Sequence, residues 1–397
     1  MKELSVREII VIIICGLWNF AGAMSAVFVN VYLYNYTGSL VVMSIYTIFR
    51  IGMFPIFFSL GGWLARKTNF AYTTLLGALV TMMSLIFILF FNHLIAQNNN
   101  LVYIVAILVG IGEGFFWLSI NSLNQLVTTD KTRNIYVGYL GIINNLLGIF
   151  APIAATILIS LGIDDTEGYT NIFKVVLIIY AIIVILATRV KVPPNRSKYS
   201  LIKSLSILHD KRWRYSMIAT LMYGIRDGLI LTVAGLLVYN ATNGSGEAYS
   251  RLLALFAIVG IIAYSLVTRW LNITNRYKFY VIGAFLLASC SIVLVFINNI
   301  YGAIYYGLVN AIGTPFYSSP YQIIIIENIN RYHKSENVVG RVIGKETYLS
   351  IGRISGMILV IICFMIFPES LYLKISVTLL SLFPIILVAY SYKHEKN

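Results

Sequence analysis

The chain has 397 residues, of which 59% are hydrophobic and 11% charged, and it carries a formal net charge of +14. So apolar a composition excludes a soluble globular domain and indicates an integral membrane protein. The apolar runs are long and continuous, which excludes an outer-membrane barrel of short alternating strips, and at roughly 20–25 residues per span plus loops they make about twelve transmembrane helices in an all-α fold.

The first span is predicted at 8–34, after a short start with Lys2 and Arg7. Ala21-Gly22-Ala23 imitates a signal-peptide cleavage site. The apolar run continues well past it, so it reads as a retained span, with Asn19, Ala23, Ala26 and Asn30 on one face. Span two, 40–64, has Arg50 near its middle, and spans three to six are predicted at 72–91, 101–127, 135–161 and 171–188. A basic stretch, 189–214, contains Pro193-Pro194 and is the longest hydrophilic connection. It divides the chain into an N-terminal bundle (1–190), a linker (191–214) and a C-terminal bundle (215–397). Spans seven to twelve follow at 215–239, 250–267, 279–296, 301–326, 337–367 and 371–392. All four histidines fall in loops or tails, and the three cysteines sit in apolar runs without metal-ligand spacing, so neither a metal nor a cofactor is expected.

Span four carries the most informative pattern. At about 100° per residue, Glu113, Trp117, Ile120, Asn121 and Asn124 share one face. An acid near the bilayer centre costs roughly 2.5–3.5 kcal/mol on insertion scales, so this face meets protein or a water-filled cavity. Gly110, Gly112 and Gly114 flank the acid and admit a neighbouring helix at close range. Two readings fit: a helix lining a polar path, or a structural ion pair between helices.

The loops assign orientation. The N-terminus, loops 2–3, 4–5, 6–7, 8–9 and 10–11 and the C-terminus hold about 21 of the 29 Lys and Arg, while the opposite loops hold none. The positive-inside rule then places both termini and the linker in the cytoplasm of a multi-pass plasma-membrane protein, in a bacterium its inner membrane. The net charge is thus a topology signal, with attraction to anionic membrane lipid as a secondary effect. No nucleic-acid partner is expected.

The two halves resemble each other. Thr68-Asn69 with Leu76-Gly77-Ala78 recurs as Thr274-Asn275 with Ile282-Gly283-Ala284. Leu108-Val109, Phe116-Trp117 and Ser119 match Leu308-Val309, Phe316-Tyr317 and Ser319, and Val137-Gly138 matches Val339-Gly340. Tyr34-Asn35 and Tyr239-Asn240 close the first span of each half. Two such six-helix halves joined by a basic loop resemble the major facilitator superfamily over essentially the whole chain, nearest to an uncharacterised Gram-positive bacterial branch. Of that family's loop 2–3 signature, Gly62, Leu64 and Ala65 fit. Arg66 stands where an aspartate is expected, followed by Lys67. In span five Gly138 and Pro152 fit the family's antiporter motif, while Leu147 and Ala151 replace two of its glycines.

The resemblance implies two pseudo-symmetric bundles with spans 1, 4, 7 and 10 lining a central cavity. In span ten, Asn310, Thr314, Tyr317 and Tyr321 share a face, and Pro315 and Pro320 favour a bend. Polar glue between helices is the alternative for these faces. The further intramembrane ions are Arg226, Asp227, Lys345, Glu346 and Arg353. Arg226 and Asp227 are neighbours pointing about 100° apart, so they need not pair. Asp227 shares a face with Thr220, Tyr223 and Leu231 and is a second candidate acid, although a structural salt bridge fits it equally. Glu346, Ser350 and Arg353 form a face of span eleven. By depth, Arg50 suits Glu113. A carboxylate beside an arginine keeps its charge, and one left alone in a closed cavity takes up a proton. Glu113, with Asp227 and Arg50, is therefore the candidate proton-coupling set.

These residues point to a proton-coupled secondary transporter working by alternating access, and to export of a small amphiphilic or aromatic-bearing molecule. The alternatives are proton-symport uptake of a sugar-like or zwitterionic solute and translocation of a lipid or lipid-linked precursor. A scaffold that has lost transport is a further class. No nucleotide loop, metal cluster or nucleophile elbow points to an enzyme. A monomer is expected.

Overall fold

The computed structural model describes residues 4–128, 132–190, 192, 205, 211–272, 274–330 and 338–395. Among these residues the chain forms twelve long helices: α1 Val6–Thr37, α2 Leu40–Lys67, α3 Phe70–Gln97, α4 Leu101–Leu126, α5 Arg133–Ser160, α6 Asp165–Arg189, α7 Lys211–Ala241, α8 Gly246–Trp270, α9 Arg276–Phe296, α10 Ile300–Asn330, α11 Val338–Ile366 and α12 Glu369–Glu395. Ten of them contain described stretches long and apolar enough to cross a membrane. The other two, α5 and α10, have 28 and 31 residues, which at about 1.5 Å per residue also exceeds a bilayer core.

The helices start and stop for local reasons. Ser5 opens α1 with a capping box, its hydroxyl accepting from the Glu8 N–H while Glu8 accepts from the Ser5 backbone. Gly38, at φ 61°, closes α1, and Ser39 caps α2 at once, so two residues make the whole turn. Asn69 caps α3 by accepting from the Tyr72 N–H at 2.9 Å. Several helices outrun their predicted apolar stretch. Helix α6 begins at Asp165 rather than 171, because Asp164 caps a polar first turn in which Gly168 lies against Ile159. Helix α3 runs to Gln97 and so carries His93, expected in a loop, on its exposed last turns. Most of the linker expected at 191–214 lies outside the described residues, and its last four residues already belong to α7. Trp213 fixes that start: it is buried with Met217, and the Arg341 guanidinium lies 4.7 Å from its ring centre.

The described residues divide into two compact units, the first drawn from 1–42 and 49–197, the second from 43–48 and 198–397. In the first, α3 packs on α4 and α6, α1 packs on α5 and α6, and α5 packs on α6. In the second, α9 packs on α10 and α12, α7 on α11 and α12, and α11 on α12. These five pairings recur when shifted by six helices, and α8 also packs on α10, so the duplicated motifs correspond to a largely duplicated packing plan.

The core of the first unit is aromatic. Trp18 stacks on Phe116 at 3.6 Å with Tyr180 edge-on at 5.1 Å, and Tyr32 meets Phe173 at 5.4 Å. Polar glue joins α3 to α4, where the Thr74 and Ser119 hydroxyls meet at 2.5 Å and Ser119 also donates to the Phe70 carbonyl. In the second unit Trp213, Met217, Tyr280, Leu287, Tyr317, Tyr321 and Leu387 form the core.

Candidate functional site

Among the described residues each unit holds one carboxylate gripped by an arginine from another helix. In the first, Arg50 of α2 meets Glu113 of α4 through two bonds, Nε to Oε2 at 3.0 Å and Nη2 to Oε1 at 2.5 Å. This is the fork geometry in which a guanidinium matches a carboxylate. The pair is enclosed but not sealed, with side chains 18% and 22% exposed. The flanking glycines make it possible. A Cβ on Gly110 would sit 2.2 Å from the Arg50 carbonyl, and one on Gly114 would sit 2.8 Å from the Phe54 carbonyl. Gly112 faces the other way, onto Gly77 and Thr81 of α3. Helix α4 is thus wedged between α2 and α3 at backbone contact, which brings Arg50 within reach of Glu113.

The rest of the predicted α4 face divides. Trp117 is half-buried, Asn121 is exposed, and Ile120 is in the core. Asn124 is tied to the bundle, its Oδ1 accepting from the Tyr136 hydroxyl of α5 at 2.5 Å. On α1, Asn19 is half-buried near Cys15 and Asn30 is buried. The side chains of Ala26, Val137 and Leu231, and the surroundings of Gly138, lie outside the described residues. The loop 2–3 motif is the end of a helix rather than a loop: Gly62, Leu64, Arg66 and Lys67 are all in α2, with the Lys67 ammonium 4.1 Å from the Trp63 ring centre.

In the second unit Arg226 and Asp227 do not pair with each other. Asp227 of α7 turns to α11, where Arg353 places Nε at 2.7 Å and Nη2 at 2.6 Å from Oδ2, leaving Oδ1 outside the pair. These side chains are 22% and 23% exposed. Arg226 turns to α10 and donates from Nη2 to the Asn310 Oδ1 at 2.8 Å. Lys345 and Glu346 pair with each other at 3.1 Å on α11. Four glycines, not singled out in the sequence, set the α7–α11 approach. Gly224 and Gly228 lie against the carbonyls of Leu349 and Arg353, and Gly352 and Gly356 lie against those of Leu221 and Ile225. Both helices carry a glycine-x-x-x-glycine spacing, a sequence signal for close helix contact that was available.

Tyr317 and Tyr321, expected on a cavity face of α10, are buried instead, at 1% and 5% exposure. Tyr223 stacks against Tyr321 at 4.3 Å and Tyr317 at 5.6 Å, and the Tyr321 hydroxyl donates to Thr220 at 2.9 Å. Burial follows from ring area, since stacked phenols gain more in the core than on a wet wall; the Tyr321 hydroxyl has its partner in Thr220, while the Tyr317 hydroxyl is buried without one. Thr314 and Asn310 remain half-buried, with the Thr314 hydroxyl donating to the Asn310 carbonyl at 2.7 Å. The charged pairs do not follow the duplication: the first unit pairs α2 with α4, the second α7 with α11.

Comparison with known proteins agrees with this architecture. The chain is 27% identical to the uncharacterized protein YqgE of Bacillus subtilis (strain 168) over 369 residues, 92% of this chain and 85% of that one. It is 29% identical over 175 residues to an uncharacterized protein of the sodM 3' region of Geobacillus stearothermophilus, covering 43% of this chain and 79% of the relative. Among solved structures, the nucleoside transporter NupG superposes with a TM-score of 0.71 at 10% identity, covering 98% of this chain and 99% of NupG. The E. coli fucose:proton symporter FucP superposes at 0.63 and 14% identity, covering 97% and 98%. At these identities the two structures show the fold alone. The profile of the Major Facilitator Superfamily matches residues 9–355, and the chain belongs to that family of membrane transporters.

Proposed function

We propose that this protein is a proton-coupled secondary active transporter that exports a small amphiphilic or aromatic-bearing molecule by alternating access. The observation that carries the reading is the pairing, in each unit, of one partly exposed carboxylate with an arginine on a different helix. A pair that spans two helices is broken when those helices part. The freed carboxylate then takes up a proton from the side that is open, and return of the arginine expels it on the other side. Glu113 with Arg50 is the first coupling site in this scheme and Asp227 with Arg353 the second.

The bundles 1–190 and 215–397 are the rocking halves, joined by the linker 191–214. The basic loops favour cytoplasmic termini in a bacterial plasma membrane, with the protein acting as a monomer. The half-buried rings of Trp117 and Tyr223 support an aromatic-bearing substrate, and Gly138 with Pro152 favours export. That one fold neighbour is a fucose:proton symporter and another a nucleoside transporter supports proton-driven movement of a small organic solute.

The test uses everted membrane vesicles from cells producing the chain, energised with an imposed pH gradient and offered a panel of amphiphilic aromatic dyes. The expected result is gradient-dependent accumulation, abolished by a protonophore and by Glu113→Gln. Transport by Glu113→Gln that responds fully to the gradient would sink the coupling assignment. Accumulation only in right-side-out vesicles would replace export with uptake, and pH-indifferent movement of a labelled lipid would replace both.

A further inference from the structure

We infer that the transported molecule carries an anionic group, carboxylate or phosphate, and that Arg226 with Asn310 is its docking point; this rests on the transport reading above. Arg226 is 4% exposed, yet among the described residues no carboxylate lies within 4.0 Å of it. Asp227, its neighbour in sequence, is taken by Arg353. Beyond the first turn of α7 and α11 the charged residues are Arg226, Lys345 and Arg353 against Asp227 and Glu346, three cations and two carboxylates. Lys345 and Arg353 are each paired, so the unbalanced charge is that of Arg226. A guanidinium cannot shed its proton to escape burial, as a lysine can, so this charge stays and calls for an anion.

The surrounding groups select the same chemistry. Nη2 donates to the Asn310 Oδ1, and Nε has no partner. Because arginine only donates, the Asn310 carbonyl oxygen faces it, and the two amide N–H donors are turned away from it. The free Nε–H and the fixed positive charge of the guanidinium suit an oxyanion and penalise a cationic group. Tyr306 and Tyr317 are buried on α10, the helix that carries Asn310. Tyr223, one residue turn back on α7, stacks on Tyr317. An aromatic acid matches this combination: an anionic head on Arg226 and a flat body beside the half-buried Tyr223 ring.

Thermal unfolding of the purified full chain tests it, with benzoate and phenyl phosphate as probes and benzamide as the neutral analogue. The anions are expected to raise Tm in a concentration-dependent manner and benzamide is not. Arg226→Gln should weaken the anion response by about tenfold or more, the loss expected for one charge-assisted contact, while Arg226→Lys keeps the preference for anions. Equal shifts from benzoate and benzamide, no shift from either anion, or a wild-type response in Arg226→Gln would overturn the inference. The benzoate and benzamide comparison on the wild-type chain decides the matter even where Arg226→Gln does not fold. A second arm adds vesicles of phosphatidylcholine with or without phosphatidylglycerol. Competition between phosphatidylglycerol and benzoate would make a lipid headgroup the source of the anion; indifference to it keeps a soluble one. Binding is read without a pH gradient, so loss of the anion site and loss of proton coupling are separate results.

Discussion

Replacing Gly352 by alanine tests the packing that holds the Asp227–Arg353 pair. The new Cβ would lie 2.1 Å from the Leu221 carbonyl oxygen and 3.0 Å from the Gly224 Cα. Both are backbone atoms, so no rotamer change relieves the overlap. Ordinary contact begins near 3.4 Å, so α7 and α11 must separate locally by about 1.3 Å. Overpacking of this kind costs about 1–3 kcal/mol. Alanine also improves helix propensity by up to about 1 kcal/mol, and Gly22→Ala cancels that gain, since nothing lies within 4 Å of a Cβ there. The difference between the two variants isolates the steric part: about 2 kcal/mol, or roughly 4–8 °C in Tm for a unit of this size. The assay is thermal unfolding of both purified variants in the same detergent. Should Gly352→Ala and Gly22→Ala melt together, the backbone contact between α7 and α11 is not a determinant of stability and the reasoning fails.

Three further outcomes are expected. Arg50→Gln leaves Glu113 enclosed without its guanidinium and should destabilise by about 3 kcal/mol, the low end for a broken buried pair because both side chains are about one-fifth exposed. The double variant with Glu113→Gln should recover most of that loss, and a double-mutant cycle on Tm measures the coupling. Ser119→Ala removes the α3–α4 bonds to Thr74 and Phe70 and should cost about 0.6–1.7 kcal/mol, with a smaller effect in a Thr74→Val background, where only the bond to Phe70 is left to lose. Asp227→Asn keeps the shape of the side chain but removes its charge. It should lower the dependence of transport on pH and also lower Tm, because it strands the Arg353 guanidinium, which cannot shed its charge.

Span positions, the twelve-helix plan and the family resemblance were legible along the chain, since each depends on local composition. Hydropathy marked the spans, and charge bias marked the loops. The helix ends were read short because Asp164, Glu167 and Trp213 are polar or amphipathic, and a hydropathy window stops where they begin. Glu113 stood out because an acid in an apolar run is costly wherever the run lies, and its depth pointed to Arg50. The glycine spacings at 224/228 and 352/356 are an equally local signal of close helix contact.

What the sequence determined by itself was therefore the set of costly groups that the membrane must accommodate: Arg50, Glu113, Arg226, Asp227 and Arg353 in otherwise apolar helices. Apart from Arg50 and Glu113, matched by depth, only the tertiary structure decided who partners whom. Adjacent residues on a helix point about 100° apart, so Arg226 and Asp227 were bound to face different neighbours. Which neighbours they face depends on helix rotation and on distances set by glycine contacts with residues more than a hundred positions away. The same packing turned Tyr317 and Tyr321 inward, tied Asn124 to Tyr136, and left Arg226 with an amide where its neighbour found a charge. Partner choice is a property of three-dimensional register, and helical periodicity fixes only the direction in which each side chain leaves its own helix.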